Sequence, residues 1–307
     1  MTQQLQPQAG QTGGSVESTI ARLAREASIE INYHDLKDLD ASRKVLSAGQ
    51  KIFVSFLPKQ TWEQSEEACR ALKGVGLDPV PHIPVRLLAD EKALDHVVSG
   101  LTRAGAEELL LLSGDYPEGV GSLSRVEDAM KTGVLSKYGL RRVSVAGHPE
   151  GHPKVELAEI RRAEKAKAAI AADAGLQASF VTQFFFESDP FLSWAKELRA
   201  AGVKARLVAG LAGPAKITTL FKFAMRCGAG PSIRALGARP SAFTKLLGDA
   251  GPQNMMRDLA VALSSGTSDV AGIHLFCFGG YLRTCEWLHS VATGQVVLNR
   301  SGGFDLK

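Results

Sequence analysis

No apolar stretch in this 307-residue chain reaches the ~18 residues that a membrane helix needs, so no span is expected. The opening, MTQQLQPQAGQTGGS, lacks the apolar centre of a secretory leader and has almost nothing to bury. Residues 1–15 therefore read as a disordered tail and the chain as cytoplasmic. Cysteine is scarce: Cys69, Cys227, Cys277 and Cys285 stand far apart without a C-x-x-C pair, which argues against a zinc site or a disulfide framework and for reduced thiols. A concentrated positive charge is also missing. The net charge of +4 is spread along the chain, and its densest basic stretch, Arg161 to Lys167, is interrupted by Glu164 and reads as one solvated helix face. Without a basic tract or aromatics interleaved with Lys and Arg, nucleic acid is not an expected partner.

What the chain does have is 45% apolar residues, arranged as short β-rich runs alternating with longer helical patterns. The runs are SIEINY (28–33), KIFVSFL (51–57), DPVPHIPV (78–85), ELLLLSG (108–114), RVSVAG (142–147), SFVTQFFF (179–186), KARLVAGL (204–211) and GIHLFCF (272–278). Between them WEQSEEACRALKGVG, DEKALDHVVSGLTRAG and DPFLSWAKELRAAG have helical periodicity and end in Gly, and Asp189 with Pro190 reads as an N-cap and first-turn pair. Eight strand-helix units match a single-domain α/β (β/α)8 TIM barrel over residues 16–307. A doubly wound sheet is the alternative, but the first βα turn carries no G-x-G-x-x-G. Residues 212–270 are too long for one helix and should hold two or three.

Active sites in barrels of this kind lie at the C-terminal ends of the strands. Glu30, in SIEINY, shares a strand face with Ser28 and Asn32. If that face is inward, the carboxyl must be hydrogen-bonded or have a raised pKa, and a raised pKa suits a general acid; if outward, it pairs with a Lys. Asp115, in SGDYPEGVG, is either a turn and helix cap or a functional acid. In VAGHPEGHP, His148 and His152 sit on an extended polar loop, since a residue before proline is pushed out of the helical region. Neither lies on a helix face or has a Cys or His-Glu-x-x-His companion, so no metal site is assigned. In VTQFFFESDPF, simple alternation puts Gln183 and Phe185 on one face and Thr182, Phe184 and Phe186 on the other. An amide among rings offers a donor and an acceptor to a flat heterocycle, while the phenylalanines, Phe185 included, pack the barrel or its ligand.

In their order and spacing, LLLLSGDYPEGVG, VSVAGHPEGHPKV and SFVTQFFFESDPFL, with SIEINY, PHIPV, VAGLAG and GIHLFCF, resemble the methylenetetrahydrofolate reductase family over about residues 28–290. The resemblance implies a (β/α)8 barrel that interconverts 5,10-methylene- and 5-methyltetrahydrofolate, with FAD shuttling hydride from NAD(P)H. It gives Glu30 the role of the acid that protonates folate N10, Asp115 that of the acid binding the pterin near the flavin, and Gln183, with Phe185 and Ile217, that of substrate contacts. It places His82, Ser113, Gly114, His148, His152, Glu164 and Lys167 on the cofactor side.

Several positions depart from the family pattern. Ser113 replaces an Arg, His148 an aromatic, Ile217 a ligand-stacking aromatic, and Gly279-Gly280 a polar pair. The second strand ends Phe56-Leu57-Pro58 where a hydroxyl and a Gly-containing turn are usual, and Lys167, Ile170 and Ala171 stand where Asn, Arg and Lys usually meet the flavin ribityl and phosphates. Two missing cations at a pyrophosphate remove charge-assisted hydrogen bonds worth roughly 1.5–3 kcal/mol each. FAD affinity is therefore expected to fall by orders of magnitude, while the folate side is better kept. A flavin-free hydride-transfer enzyme or a non-redox folate-binding barrel are the alternatives, and a homo-oligomer is left open.

Overall fold

The structure is a computed structural model that describes residues 14–114, 119–227 and 249–307. The expected tail lies almost wholly outside these residues. Ser15 accepts the Ser18 N–H through its hydroxyl and starts helix α1 (Val16–Arg25). Eight parallel strands then close into a barrel: β1 (Ser28–Ile31), β2 (Lys51–Val54), β3 (Asp78–Pro84), β4 (Glu108–Leu112), β5 (Arg142–Gly147), β6 (Gln177–Phe184), β7 (Arg206–Ala212) and β10 (Gly272–Phe276). β10 pairs with both β7 and β1, so the chain is a (β/α)8 barrel.

Five of the expected strands stop two or three residues early, because the chain leaves the ladder there to form the loops of the mouth. Helices α3 (Trp62–Gly74), α4 (Glu91–Arg103), α7 (Leu157–Asp173) and α8 (Ser188–Ala200) stand on the outside, and the shorter α2 (Leu39–Ser42), α5 (Val126–Lys131) and α6 (Val134–Lys137) lie in the connections between strands. α8 starts one residue before the expected Asp189 cap; its N-cap is Glu187, and the Ser188 hydroxyl reaches Asp258 instead. The long connection after β7 holds the short pair β8 (Ala215–Lys216) and β9 (Asp249–Ala250), helix α9 (Ile217–Cys227) and helix α10 (Gln253–Ser264), with residues 228–248 outside the described ones. Helix α11 (Tyr281–Thr293) and the hairpin β11 (Val296–Leu298) with β12 (Phe304–Leu306) follow. Among the described residues no helix is long and apolar enough to cross a membrane.

Alternation along the strands divides the apolar residues into two zones. Ile29, Ile31, Ile273 and Leu275 face outward into the main core under the helices. Inside the barrel, Phe53, Val80, Leu110 and Val181 form one layer, and Phe184 and Ala212 join Phe276 and Phe278 in a ring-rich layer nearer the mouth. The N-terminal end is filled differently. Ser28, Ser144, Ser179 and Gly272 are too small to plug it, and a chamber of about 310 Å3 reaches in from that end to Phe53. Beside it Glu108, only 2% exposed, accepts Lys51 Nζ at 2.6 Å and the Ser144 hydroxyl at 2.7 Å.

The alternation breaks once. Val181 pairs with Val208 and Phe184 with Gly210, so β6 takes three steps where β7 takes two. This is a β-bulge, and it reverses the facing of everything beyond it. The Thr182 hydroxyl closes the gap by accepting the Gly210 N–H at 2.8 Å. A Cβ on Gly210 would lie 2.2 Å from the Thr182 carbonyl oxygen and 2.7 Å from that of Gln183, so the bulge admits no side chain there. Gly210→Ala should therefore destabilise the barrel by ~1–3 kcal/mol or more, because the obstacle is backbone. An unchanged denaturation midpoint would show that the bulge relaxes freely.

Candidate active site

Parallel register sets the centre of the site. Glu30 lies between Phe53 of β2 and Phe276 of β10, facing the barrel interior, with its side chain 22% exposed. The ladder extends one step past β2, where the Ser55 N–H bonds the Ile31 carbonyl, and this holds the Ser55 hydroxyl 2.8 Å from Glu30 Oε1 as a donor. Oε2 faces two imidazoles: His274 Nε2 of β10 at 3.4 Å and His82 Nε2 of β3 at 3.7 Å. His274 is wholly buried and is held at its other nitrogen, Nδ1, by Ser28 Oγ at 2.9 Å. The His82 Nε2 atom is buried without a hydrogen-bond partner. Phe53 packs edge-on against both imidazoles, at 4.7 Å from His274 and 6.1 Å from His82.

The electrostatics follow from this packing. Burial pushes the Glu30 carboxyl up, but the His274 hydrogen bond, the fields of His82 and His274 and the Ser55 hydroxyl outweigh it and hold it below the usual carboxylate range. The raised pKa expected from burial alone is therefore absent from the free protein. Burial lowers the His82 pKa, and the neighbouring His274 adds to this against the pull of Glu30, so the His82 ring is neutral at pH 7. Glu30 is a carboxylate inside a barrel, facing neutral or hydrogen-bonding groups, with one side toward the mouth.

Of the other residues singled out from the sequence, few meet this centre. His82 does so, as a neighbour of the acid. Gln183 is half-buried within the bulge. Phe185 is not at the mouth: the bulge turns it outward, where it is 2% exposed and stacks on Phe191 of α8 at 5.4 Å, while Phe184 takes the interior place. Ile217 is buried at the start of α9. Ser113 and Gly114 are half-buried just past β4, and Asp115 lies outside the described residues.

The loop after β5 belongs to another buried carboxylate. Glu164, with no exposed surface, accepts the His148 N–H at 3.0 Å, Arg161 at 2.9 Å and the Trp194 indole N–H at 3.1 Å. Arg161 also donates to the His148 and Pro149 carbonyls. His152 stands edge-on to His148 at 5.8 Å, and burial, with Lys167, His152 and Arg161 adding to it, pushes His148 down to about 3, so that ring is uncharged at neutral pH. Lys167 is 7% exposed, donates to the Ala146 carbonyl at 3.2 Å and lies over the Phe180 ring. Glu164 and Lys167 thus hold the loop from behind instead of facing a ligand. Among the described residues no group of three or more His, Cys, Asp or Glu is placed to hold a metal.

The residue that sequence reasoning missed is His274. The alternation that turned Glu30 inward applies equally to GIHLF, where His274 and Phe276 share a face, and Ser28 and Ser55 complete the set.

The profile of one protein family, methylenetetrahydrofolate reductase, matches residues 54–230, more than half of the chain. The chain belongs to the methylenetetrahydrofolate reductase family. Methylenetetrahydrofolate reductase (NADH) 1 of Arabidopsis thaliana is 29% identical over 159 residues, covering 48% of this chain and 26% of the plant protein. Methylenetetrahydrofolate reductase 2 of Saccharomyces cerevisiae is 30% identical over 141 residues, 43% of this chain and 22% of the yeast protein. The 5,10-methylenetetrahydrofolate reductase of Salmonella typhimurium is 26% identical over 183 residues, 58% of this chain and 60% of its own. The chain thus spans less than two thirds of the length of each of these relatives. The family match contains His82 and the Glu164 hub but begins after Glu30 and ends before His274.

Replacing Glu164 with Gln keeps the size but turns an amide N–H toward donors. Disrupting a buried charged pair of this kind costs roughly 3 kcal/mol. Glu164→Gln should lower the denaturation midpoint accordingly and speed amide hydrogen exchange at His148, whereas an unmoved midpoint would show that the hub is dispensable.

Proposed function

We propose that this barrel reduces 5,10-methylenetetrahydrofolate to 5-methyltetrahydrofolate with NAD(P)H as the hydride source, and that Glu30 is the acid. The supporting observation is a single carboxyl set among His274, His82 and Ser55 in the barrel interior, open toward the mouth. Glu30 gives its proton to folate N10, the bond from N10 to the methylene carbon breaks with its electron pair left on nitrogen, and an iminium forms at N5. Hydride from the nicotinamide then adds to the iminium carbon, leaving a methyl group and an oxidised nicotinamide. In the free protein Glu30 is held low, so the proton must be favoured by the substrate. A folate ring seated over the mouth removes the remaining water and raises the pKa. Gln183 is the proposed amide for the pterin edge, and Asp115 is proposed to bind the same ring.

The family also implies FAD, and helix α7 does not fit it. Where the family presents polar and cationic side chains to ribityl and phosphate, Lys167 is turned to the Ala146 carbonyl, Ile170 packs on the core, and Ala171 has no exposed surface. Arg161 is tied to Glu164, Glu197 and two carbonyls. Lys167 and Arg161 are thus both engaged within the protein, so direct hydride transfer from nicotinamide to folate is favoured, and no step is routed through a flavin.

The absorbance spectrum of the purified protein, with NADH or NADPH oxidation in the presence of methylenetetrahydrofolate, tests this reading. Turnover by colourless protein supports it; bound flavin overturns the direct route; folate binding without turnover points to a non-redox folate-binding barrel. Glu30→Gln should lower kcat by roughly 10²–10⁴-fold with folate binding kept, because a positioned acid contributes about that much. Near-normal turnover in that variant would remove Glu30 from the role.

A further inference from the structure

Ser28 lies one layer below Glu30 on the same face of β1, and neither the family match nor the proposed reaction gives it a part. Register fixes its partner: Ser28 and His274 are directly paired between β1 and β10, with Oγ 2.9 Å from Nδ1. The same hydroxyl lies 3.5 Å from the Ile273 carbonyl oxygen, a second and longer acceptor. We propose that Ser28 is a positioning residue for the acid, selecting the His274 tautomer that presents Nε2–H to Glu30.

An imidazole nitrogen that accepts a hydrogen bond carries no proton, so the neutral ring carries it on the other side. With the Ser28 hydroxyl donating to Nδ1, the proton sits on Nε2 and points at Glu30 Oε2, 3.4 Å away. That arrangement suits a carboxylate. The opposite tautomer would place the Nε2 lone pair before Oε2, which suits only the protonated acid, and Ser28 would then have to turn its hydrogen to the distant Ile273 carbonyl. Donation of the hydroxyl hydrogen to Nδ1 at 2.9 Å instead of to the carbonyl at 3.5 Å therefore biases Glu30 toward its charged form.

Other groups around Glu30 leave this bias in place. Among the described residues, His82 from β3 is a buried ring neutral at pH 7, and Ser55 beyond β2 donates whichever tautomer His274 adopts. Cys277, after β10, has its thiol pushed well above the usual value by burial, with Asp35 and Glu30 among the lesser causes, so it stays neutral. Ser28 also lines the chamber at the N-terminal end, which leaves room for one added methyl group. Ser28→Thr therefore keeps the hydroxyl without overpacking, and Ser28→Ala removes it.

The inference rests on Glu30 as the acid of the proposed reaction, but its first test needs no turnover. In protein carrying 15N-labelled histidine, with its seven rings assigned by a His274→Gln variant, His274 should show the Nε2–H tautomer at neutral pH. The Glu30 titration, followed by 13C NMR of its carboxyl, should move up by roughly one pH unit in Ser28→Ala, the order of one lost hydrogen bond, and return in Ser28→Thr. The falling limb of kcat/KM with rising pH should move by the same amount. An Nδ1–H tautomer in the unaltered protein, or the same Glu30 midpoint in Ser28→Ala, overturns the inference. Absence of turnover in the unaltered protein overturns the proposed reaction while the two spectra still decide the role of Ser28.

Discussion

A carboxylate inside a barrel has to be paired, and most of what is distinctive in the interior serves that need. Desolvation alone would keep Glu30 neutral. The charge is kept by donors from other strands, one hydroxyl just past β2 and one imidazole on β10, brought within reach by parallel register. The cost is in shape: Phe53 meets His82 and the wholly buried His274 edge to face, and Ser28 holds the far nitrogen of His274, so the ring that donates to Glu30 has little freedom to turn.

Another buried carboxylate does the opposite work. Glu164 faces away from the mouth and gathers the His148 amide, Arg161 and the Trp194 indole, anchoring the loop after β5 to α7 and α8. The two acids illustrate how one residue type is divided by environment. One is partly open to the mouth and held by groups that can change protonation; the other is sealed by donors that cannot.

The barrel and Glu30 were legible in the sequence for the same reason. Period-two alternation and the counting of strand-helix units need only local information, and outside the β6 bulge both hold in the structure. Phe185 was not legible because a bulge is one extra residue without a composition signal here; only the β7 partner, where Gly210 accommodates two carbonyls, shows that the phase has changed. Glu164 and Lys167 were not legible because α7, reading LAEIRRAEKAKAAIAAD, carries charges nearly all around, so sequence alone does not say which of them are buried. His274 was within reach of the rule that found Glu30, but a histidine among apolar residues is more often a packed core ring, and its meaning comes from the Ser28 and Glu30 atoms on another strand.

The small residues at the N-terminal end have a further consequence. Barrels of this class are usually filled by three layers of side chains. Here serines and a glycine replace the outermost layer, and only the Phe53 layer separates the chamber from the interior near Glu30. The plug that closes this end of the tube is therefore one apolar layer deep, with Phe53 its largest side chain.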